Sequence, residues 1–392
     1  MHSIKVYLKE NAPAVAAAKI KSAATGTDSR LTCVELFAGC GGMAKGLEQA
    51  GFRHLAMAEF NAAACVTLRA NFQGTHRSDV PHILEADVRT VDWSSYHGVD
   101  LVAGGPPCQP FSNGGRAAGP KDARDMWPEA IRAVREMQPK AFLFENVKGL
   151  LRPGFSEYLG HVLHCLERAG LEDLPDAISY HVTVVKVNAA DYGAPQKRER
   201  VLIAGVRADC GSLFPFPSKS HSEDRLLLDK WVTDEYWRRH NLPRLDDAFI
   251  PRSARSGLNK LARATKPPAE AAWLTCRDAF LDLGIPSCEA KVTRHEPRGT
   301  AKQYVGHTGS LIDEPAKTLK SGVHGVPGGE NMFVALDGTS RHFTVREAAR
   351  LQGLPDTFEI PGSWSQAMRQ LGNAVPVQLA AVAGRWISSA LR

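Results

Sequence analysis

Between Leu31 and Arg207 seven short apolar runs, LTCVELF, HLAMAEF, HILEADV, VDLVAGG, AFLFENV, YHVTVVKV and RVLIAGV, alternate with segments of helical period. Runs of this length read as strands. A strand followed by a helix and then another strand builds parallel pairs, because only a crossover returns the chain to the same edge. The expected fold class is therefore α/β, with a doubly wound, mostly parallel sheet. In such sheets ligands bind beyond the carboxyl ends of the strands, so chemistry is to be sought there.

The alternation stops near Phe214 to Pro217 (FPFP), and an irregular stretch dotted with Pro and Arg extends to about Arg341. Helix signals return with Thr344-Val345-Arg346-Glu347 and Ser363-Trp364-Ser365-Gln366. Both have the pattern of a capping box, in which the Ser or Thr and the Glu or Gln each satisfy a free backbone N–H. Four segments are expected: an Ala-rich extension over 1–28, a large domain over 29–214, a smaller inserted domain over 215–340, and a return to the large domain over 341–392. The 392 residues, 43% of them hydrophobic, suffice for two cores.

A formal charge of +6 suits a polyanionic partner without requiring one. The eight cysteines contain no C-x-x-C pair and no His at zinc-finger spacing, so no structural metal is expected. The sequence shows neither the order of a signal peptide nor an apolar run of about 18 residues. A reducing cytoplasm is the expectation, with seven of the thiols packing as small hydrophobes.

The first strand runs into Phe37-Ala38-Gly39-Cys40-Gly41-Gly42 and then a helical segment. Such a turn admits close approach of a ligand and presents free N–H groups at the helix start. Glu59 ends the second strand, 20 residues after Gly39, where a carboxylate accepts from ribose hydroxyls in nucleotide-binding folds. Asp87 ends the third run, placed to accept from an adenine amino group. Each feature alone also fits a tight turn or a solvated strand end, whereas three at successive strand ends point to a nucleoside-type ligand. The sequence lacks G-x-x-x-x-G-K at this turn, which argues against a triphosphate.

The fourth strand ends in Gly104-Gly105-Pro106-Pro107-Cys108-Gln109-Pro110-Phe111-Ser112, a stiff loop presenting a thiol among prolines and polar residues. The fifth delivers Glu145-Asn146-Val147 from a buried run, and burial favours the protonated carboxyl. A thiol and a proton-donating carboxyl are what conjugate addition to a pyrimidine requires. Gln196, Arg198 and Arg200 alternate at the head of the last strand and share one face; alternatively they are a charged strand entrance.

FAGCGG, Glu59, Asp87, GGPPCQPFS, FENV, QKRER, REAARLQGLPD and QLGNAVPV stand in an order that resembles the carbon-5 cytosine DNA methyltransferases of bacterial modification systems. The resemblance covers 31–207 and 341–379 and implies a Rossmann-like methyltransferase fold, S-adenosylmethionine as cofactor and double-stranded DNA as partner. A flipped-out cytosine is implied, because carbons 5 and 6 cannot be reached in the stack. The implied roles are Cys108 as nucleophile, Glu145 holding ring nitrogen 3 and the exocyclic amine, and Arg200 on the carbonyl oxygen with Arg198 beside it. Phe37, Gly39, Gly41, Gly42, Glu59, Asp87 and Asn373 would hold the cofactor, and Ser112 and Thr318 would hold backbone near the flipped nucleotide. A cognate restriction endonuclease and a monomeric state are further implications.

The insert would be the target recognition domain. Arg252, Arg255, Lys260, Arg263 and Lys266 lie in a stretch without acidic residues, which suits phosphate contacts or a solvated basic loop. GVPGGEN and YVGHTGS suit either a groove backbone or ordinary turns. A tRNA cytosine methyltransferase is the nearest rival, but the Cys-Phe-Thr signature of that branch after ENV is missing. An inactive DNA-binding regulator conflicts with every matched catalytic position being filled.

Overall fold

A computed structural model describes residues 29–73, 80–107, 125–169, 178–289, 292–299, 301–303, 308–321 and 331–392. Cys108, Ser112, the 1–28 extension and most of the two Gly-rich segments lie outside the described residues.

The central sheet is built from β1 (Leu31–Leu36), β2 (Phe52–Glu59), β3 (His82–Glu85), β4 (Leu101–Gly104), β5 (Ala141–Val147), β6 (Tyr180–Asn188) and β7 (Glu199–Arg207). Its order is β3-β2-β1-β4-β5-β7-β6. The pairs from β3 through β5 are parallel, as the alternation of elements predicts. β7 runs antiparallel to both β5 and β6. Its reversal follows from the connection: only a short 3-10 turn (Ala189–Tyr192) and the pair Gln196–Lys197 separate β6 from β7, too little chain for a crossover. The start of β7 therefore lies at the same edge as the ends of β5 and β6, with Val147 opposite Arg200 and Asn188 opposite Glu199.

β4 and most of β5 are buried on both faces, which is why they read as unbroken apolar runs. Alternate residues feed two cores. Val34, Leu36, Val102, Phe142 and Phe144 meet Trp127, Ala130, Val134 and Met137 of α3 (Trp127–Met137). Cys33, Leu101, Ala103 and Leu143 meet Met43 and Leu47 of α1 (Gly42–Gln49), with α2 (Ala62–Phe72) following β2, and Leu379 and Trp386 from the C-terminal end. Each large side chain taken out of water here contributes about 1.5–3 kcal/mol.

α4 (Ser156–Glu167) crosses from β5 to β6. Among the described residues, the segment expected to be irregular contains four α-helices, α5 (Glu223–Trp231), α6 (Glu235–Arg239), α7 (Arg252–Leu261) and α8 (Cys276–Phe280). Leu226, Leu227, Trp231, Tyr236, Trp237, Ala254, Ala272 and Trp273 form a further core together with Ala190 from the turn after β6. Cys276, Ala316, Leu319 and Phe343 instead pack with the returning helices α9 (Val345–Leu351), α10 (Trp364–Asn373) and α11 (Val377–Ala390). Both capping boxes are formed, Thr344 with Glu347 at α9 and Ser363 with Gln366 at α10.

Two further sequence expectations change. β3 stops at Glu85, and Asp87 instead caps a 3-10 turn, Val88–Thr90, by accepting from the Arg89 N–H. The thiols are not uniformly packed: Cys33, Cys40, Cys65 and Cys276 are buried, whereas Cys288 is exposed.

Candidate active site

The turn after β1 needs left-handed backbone at Phe37 (φ 55), Gly39 (φ 56) and Gly41 (φ 91). Gly41 caps α1, and a side chain on Gly42 would collide with the Val375 carbonyl, 2.5 Å from an ideal Cβ. This close fit locks the turn against the returning chain. At Gly39, by contrast, a Cβ would meet nothing within 4 Å, so the turn opens outward there.

Glu59 closes this turn. Its two carboxylate oxygens accept from the Gly39 N–H at 2.8 Å and the Asn61 N–H at 2.7 Å. Asp87 holds the Arg89 guanidinium through both oxygens, at 3.0 and 2.5 Å, and this pairing keeps its carboxyl below the ordinary range. Asn373, the last residue of α10, is exposed. Phe60, which the sequence reading passed over, stands 76% exposed directly after Glu59. Its signal was an aromatic immediately beyond a strand-end carboxylate.

Glu145 and Arg200 are both buried and form an ion pair, Oε1 to Nε 2.5 Å. Desolvation alone was the sequence expectation for Glu145, and the structure adds a countercharge. The pair exists because β7 is antiparallel to β5, which places Arg200 opposite Val147 and two residues from Glu145 along the neighbouring strand. Gly105 abuts the carboxylate, an ideal Cβ there lying 3.4 Å from Glu145 Oε2, and Asn146 donates to the Pro106 carbonyl at 3.2 Å. The chain that leads to Cys108 is thus fastened beside Glu145 up to Pro106.

Arg198 departs from its expected place beside Arg200 at a substrate. It is buried and donates to the Leu319 carbonyl at 3.0 Å, the Gly372 carbonyl at 2.8 Å and Gln196 Oε1 at 3.4 Å. Gln196 in turn donates to the Leu351 carbonyl and accepts from the Leu319 N–H. Thr318 donates its hydroxyl to the Lys197 carbonyl at 2.7 Å, and Ala316–Lys317 pairs in parallel with Gln196–Lys197. The QKR segment therefore joins three parts of the chain. Val147, Lys148, Asn188, Lys197, Glu199, Arg200 and Thr318 line a cleft of about 280 Å³ beside it.

On the insert, Arg252 and Arg255 lie on α7 and Arg263 just beyond it; all three are exposed, without an ion-pair partner among the described residues. Lys260 differs, because Asp224 of α5 reaches it at 2.6 Å and supplies the acidic group that its own segment lacks.

A profile of C-5 cytosine-specific DNA methylases matches residues 31–389. The Type II methyltransferase M.NgoMIV of Neisseria gonorrhoeae is 33% identical over 367 residues, covering 93% of this chain and 99% of that protein. The Type II methyltransferase M.PspPI of Psychrobacter sp. is 34% identical over 90% of this chain and 78% of its own length. Among solved structures, the Entamoeba histolytica methyltransferase EhMeth superposes with a TM-score of 0.55 at 14% identity, covering 93% of this chain and 99% of that one, a likeness of fold. The chain belongs to the C-5 cytosine-specific DNA methylase family and is a DNA cytosine-5-methyltransferase.

Proposed function

We propose that this enzyme methylates carbon 5 of a cytosine flipped out of a short specific duplex sequence, using S-adenosylmethionine and a covalent Cys108 adduct. The observation that carries the reading is the buried Glu145–Arg200 pair, with the strand leading to Cys108 fastened against it. Neither group need leave its strand to meet one pyrimidine: Glu145 faces ring nitrogen 3 and the exocyclic amine, and Arg200 the adjacent carbonyl oxygen. The Cys108 thiolate adds to carbon 6, and electron density moves to carbon 5. After carbon 5 gains the methyl group, loss of its proton expels the thiolate and restores the ring. Splitting the substitution in this way lowers each barrier.

The turn residues fit a nucleoside. Gly39 faces open space, Glu59 keeps lone pairs for ribose hydroxyls, and the exposed ring of Phe60 offers a stacking face. Phe37, Gly41, Gly42 and Asp87 complete this edge, with Asn373 toward the amino-acid end. The bound cofactor supplies an electrophilic methyl group. Ser112 and Thr318 are assigned to strand backbone near the target. The relatives' designation as Type II methyltransferases supports a cognate endonuclease as partner.

The test is trapping on duplex DNA carrying 5-fluorocytosine, from which fluorine cannot leave as a cation. Wild type should give a denaturant-resistant adduct in the presence of cofactor, and Cys108→Ser none. Methylation of plain DNA without any adduct on fluorinated DNA would overturn the covalent route, and transfer to tRNA instead of DNA would overturn the substrate.

A further inference from the structure

Lys148 follows β5, Lys186 lies near the end of β6, and Glu199 opens β7, so the sheet order collects all three at the carboxyl edge. The Glu199 carboxylate receives both ammonium groups, Lys186 on Oε1 at 2.9 Å and Lys148 on Oε2. The lysine side chains are 58% and 55% exposed, Glu199 36%. Two cations on one anion leave a residual positive charge at the surface, and the pairing holds the Glu199 carboxyl below its ordinary range. Lys197, the other lysine of the cleft, is engaged elsewhere, 2.9 Å from Glu223 and over the Trp273 ring.

Position gives this cluster its meaning. Glu199 directly precedes Arg200 on an extended strand, so the two side chains point to opposite sides, Arg200 toward Glu145 and Glu199 toward the surface lysines. A strand that delivers a base to the Glu145–Arg200 pair carries its phosphates past this edge. Ion pairs this exposed add little to stability, so opening one costs little.

We propose that Glu199 is a resident stand-in for phosphate: its carboxylate holds Lys148 and Lys186 in the place that a backbone phosphate beside the flipped nucleotide takes over in the complex. The inference rests on the proposed reading of the Glu145–Arg200 pair. Because the carboxylate stays at the edge when DNA binds, the cluster offers the duplex one net positive charge rather than two. Glu199 thereby holds down affinity for every sequence and hastens release.

The experiment is anisotropy titration of a labelled non-specific duplex across a series of salt concentrations. Glu199→Gln should bind more tightly than wild type and steepen the slope of log K against log salt by about 0.9, one further cation facing phosphate. The affinity ratio should then grow about eightfold for each tenfold fall in salt. Lys148→Gln should weaken binding and flatten the slope by about the same amount. Adding Glu199→Gln to a Lys148→Gln, Lys186→Gln background should change the slope little, which separates the proposed effect from general damage. An unchanged or flatter slope for folded Glu199→Gln, or a full effect without the lysines, overturns the inference. Wild type that binds no duplex DNA at low salt overturns the functional reading as well.

Discussion

On the proposed reading, Glu59 serves the protein and the ligand with one carboxylate. Its bonds to the Gly39 and Asn61 N–H groups keep the turn after β1 closed, yet an ionised carboxylate has about four lone-pair sites and retains acceptors for ribose hydroxyls. Glu59→Ala should weaken cofactor binding by tenfold or more, since a hydrogen bond to a charged group is worth about 1.5–3 kcal/mol. Glu59→Gln keeps one acceptor oxygen and should fall between the two. Calorimetric titration decides it, and an unchanged dissociation constant in folded Glu59→Ala would place the cofactor elsewhere. Glu59 and Glu145 were legible because a carboxylate ending an apolar run is a local signal. The pairing of Glu145 with Arg200 was not, because it depends on the register of two strands far apart in sequence. Asp87 was read as a strand end, when its short side chain competes for its own backbone and stops the strand early.

Among elements, the QKR segment before β7 shows how one side chain can join parts of the chain. Arg198 ties Leu319 to Gly372, and at Gly372 an ideal Cβ would lie 2.3 Å from the Ser321 nitrogen, so the two backbones touch. Arg198→Met would leave two buried carbonyls without their charged donor and should destabilise the protein by on the order of 3 kcal/mol, measured by denaturant unfolding. A variant as stable as wild type but unable to form the fluorocytosine adduct would return Arg198 to direct contact with substrate. The strands of the sheet and both capping boxes could be read from sequence because their signals lie within a few residues. Helices α5 to α8 could not, since they are short and are held by burial shared with other parts of the chain, α5 to α7 around Leu226, Trp231, Trp237 and Trp273 and α8 through Cys276 against the returning helices, rather than by a long periodic stripe. The direction of β7 was hidden for a related reason: it is set by the short connection after β6.

At the scale of the whole molecule, chemistry and sequence reading are expected to occupy different stretches, with specificity assigned to 215–340. α7 supplies the structural argument. Ala254, Leu258 and Leu261 turn one face to the insert's aromatic core, which leaves Arg252 and Arg255 outward, with Arg263 following the helix. Lys260 sits in the same basic run but is held by Asp224. Arg255→Gln and Arg263→Gln should therefore weaken binding to all duplexes alike and flatten the salt slope by about 0.9 each, whereas Lys260→Gln, whose cation is already paired, should do less. If Arg255 instead touches a base edge, one position of the methylated motif should relax by about 1–3 kcal/mol while the slope hardly moves. Genome-wide mapping of methylated cytosines, after expression in cells that otherwise lack the modification, provides the motif against which either outcome is read. A motif that survives substitutions throughout 215–340 but changes with substitutions in the sheet domain would overturn the division of labour.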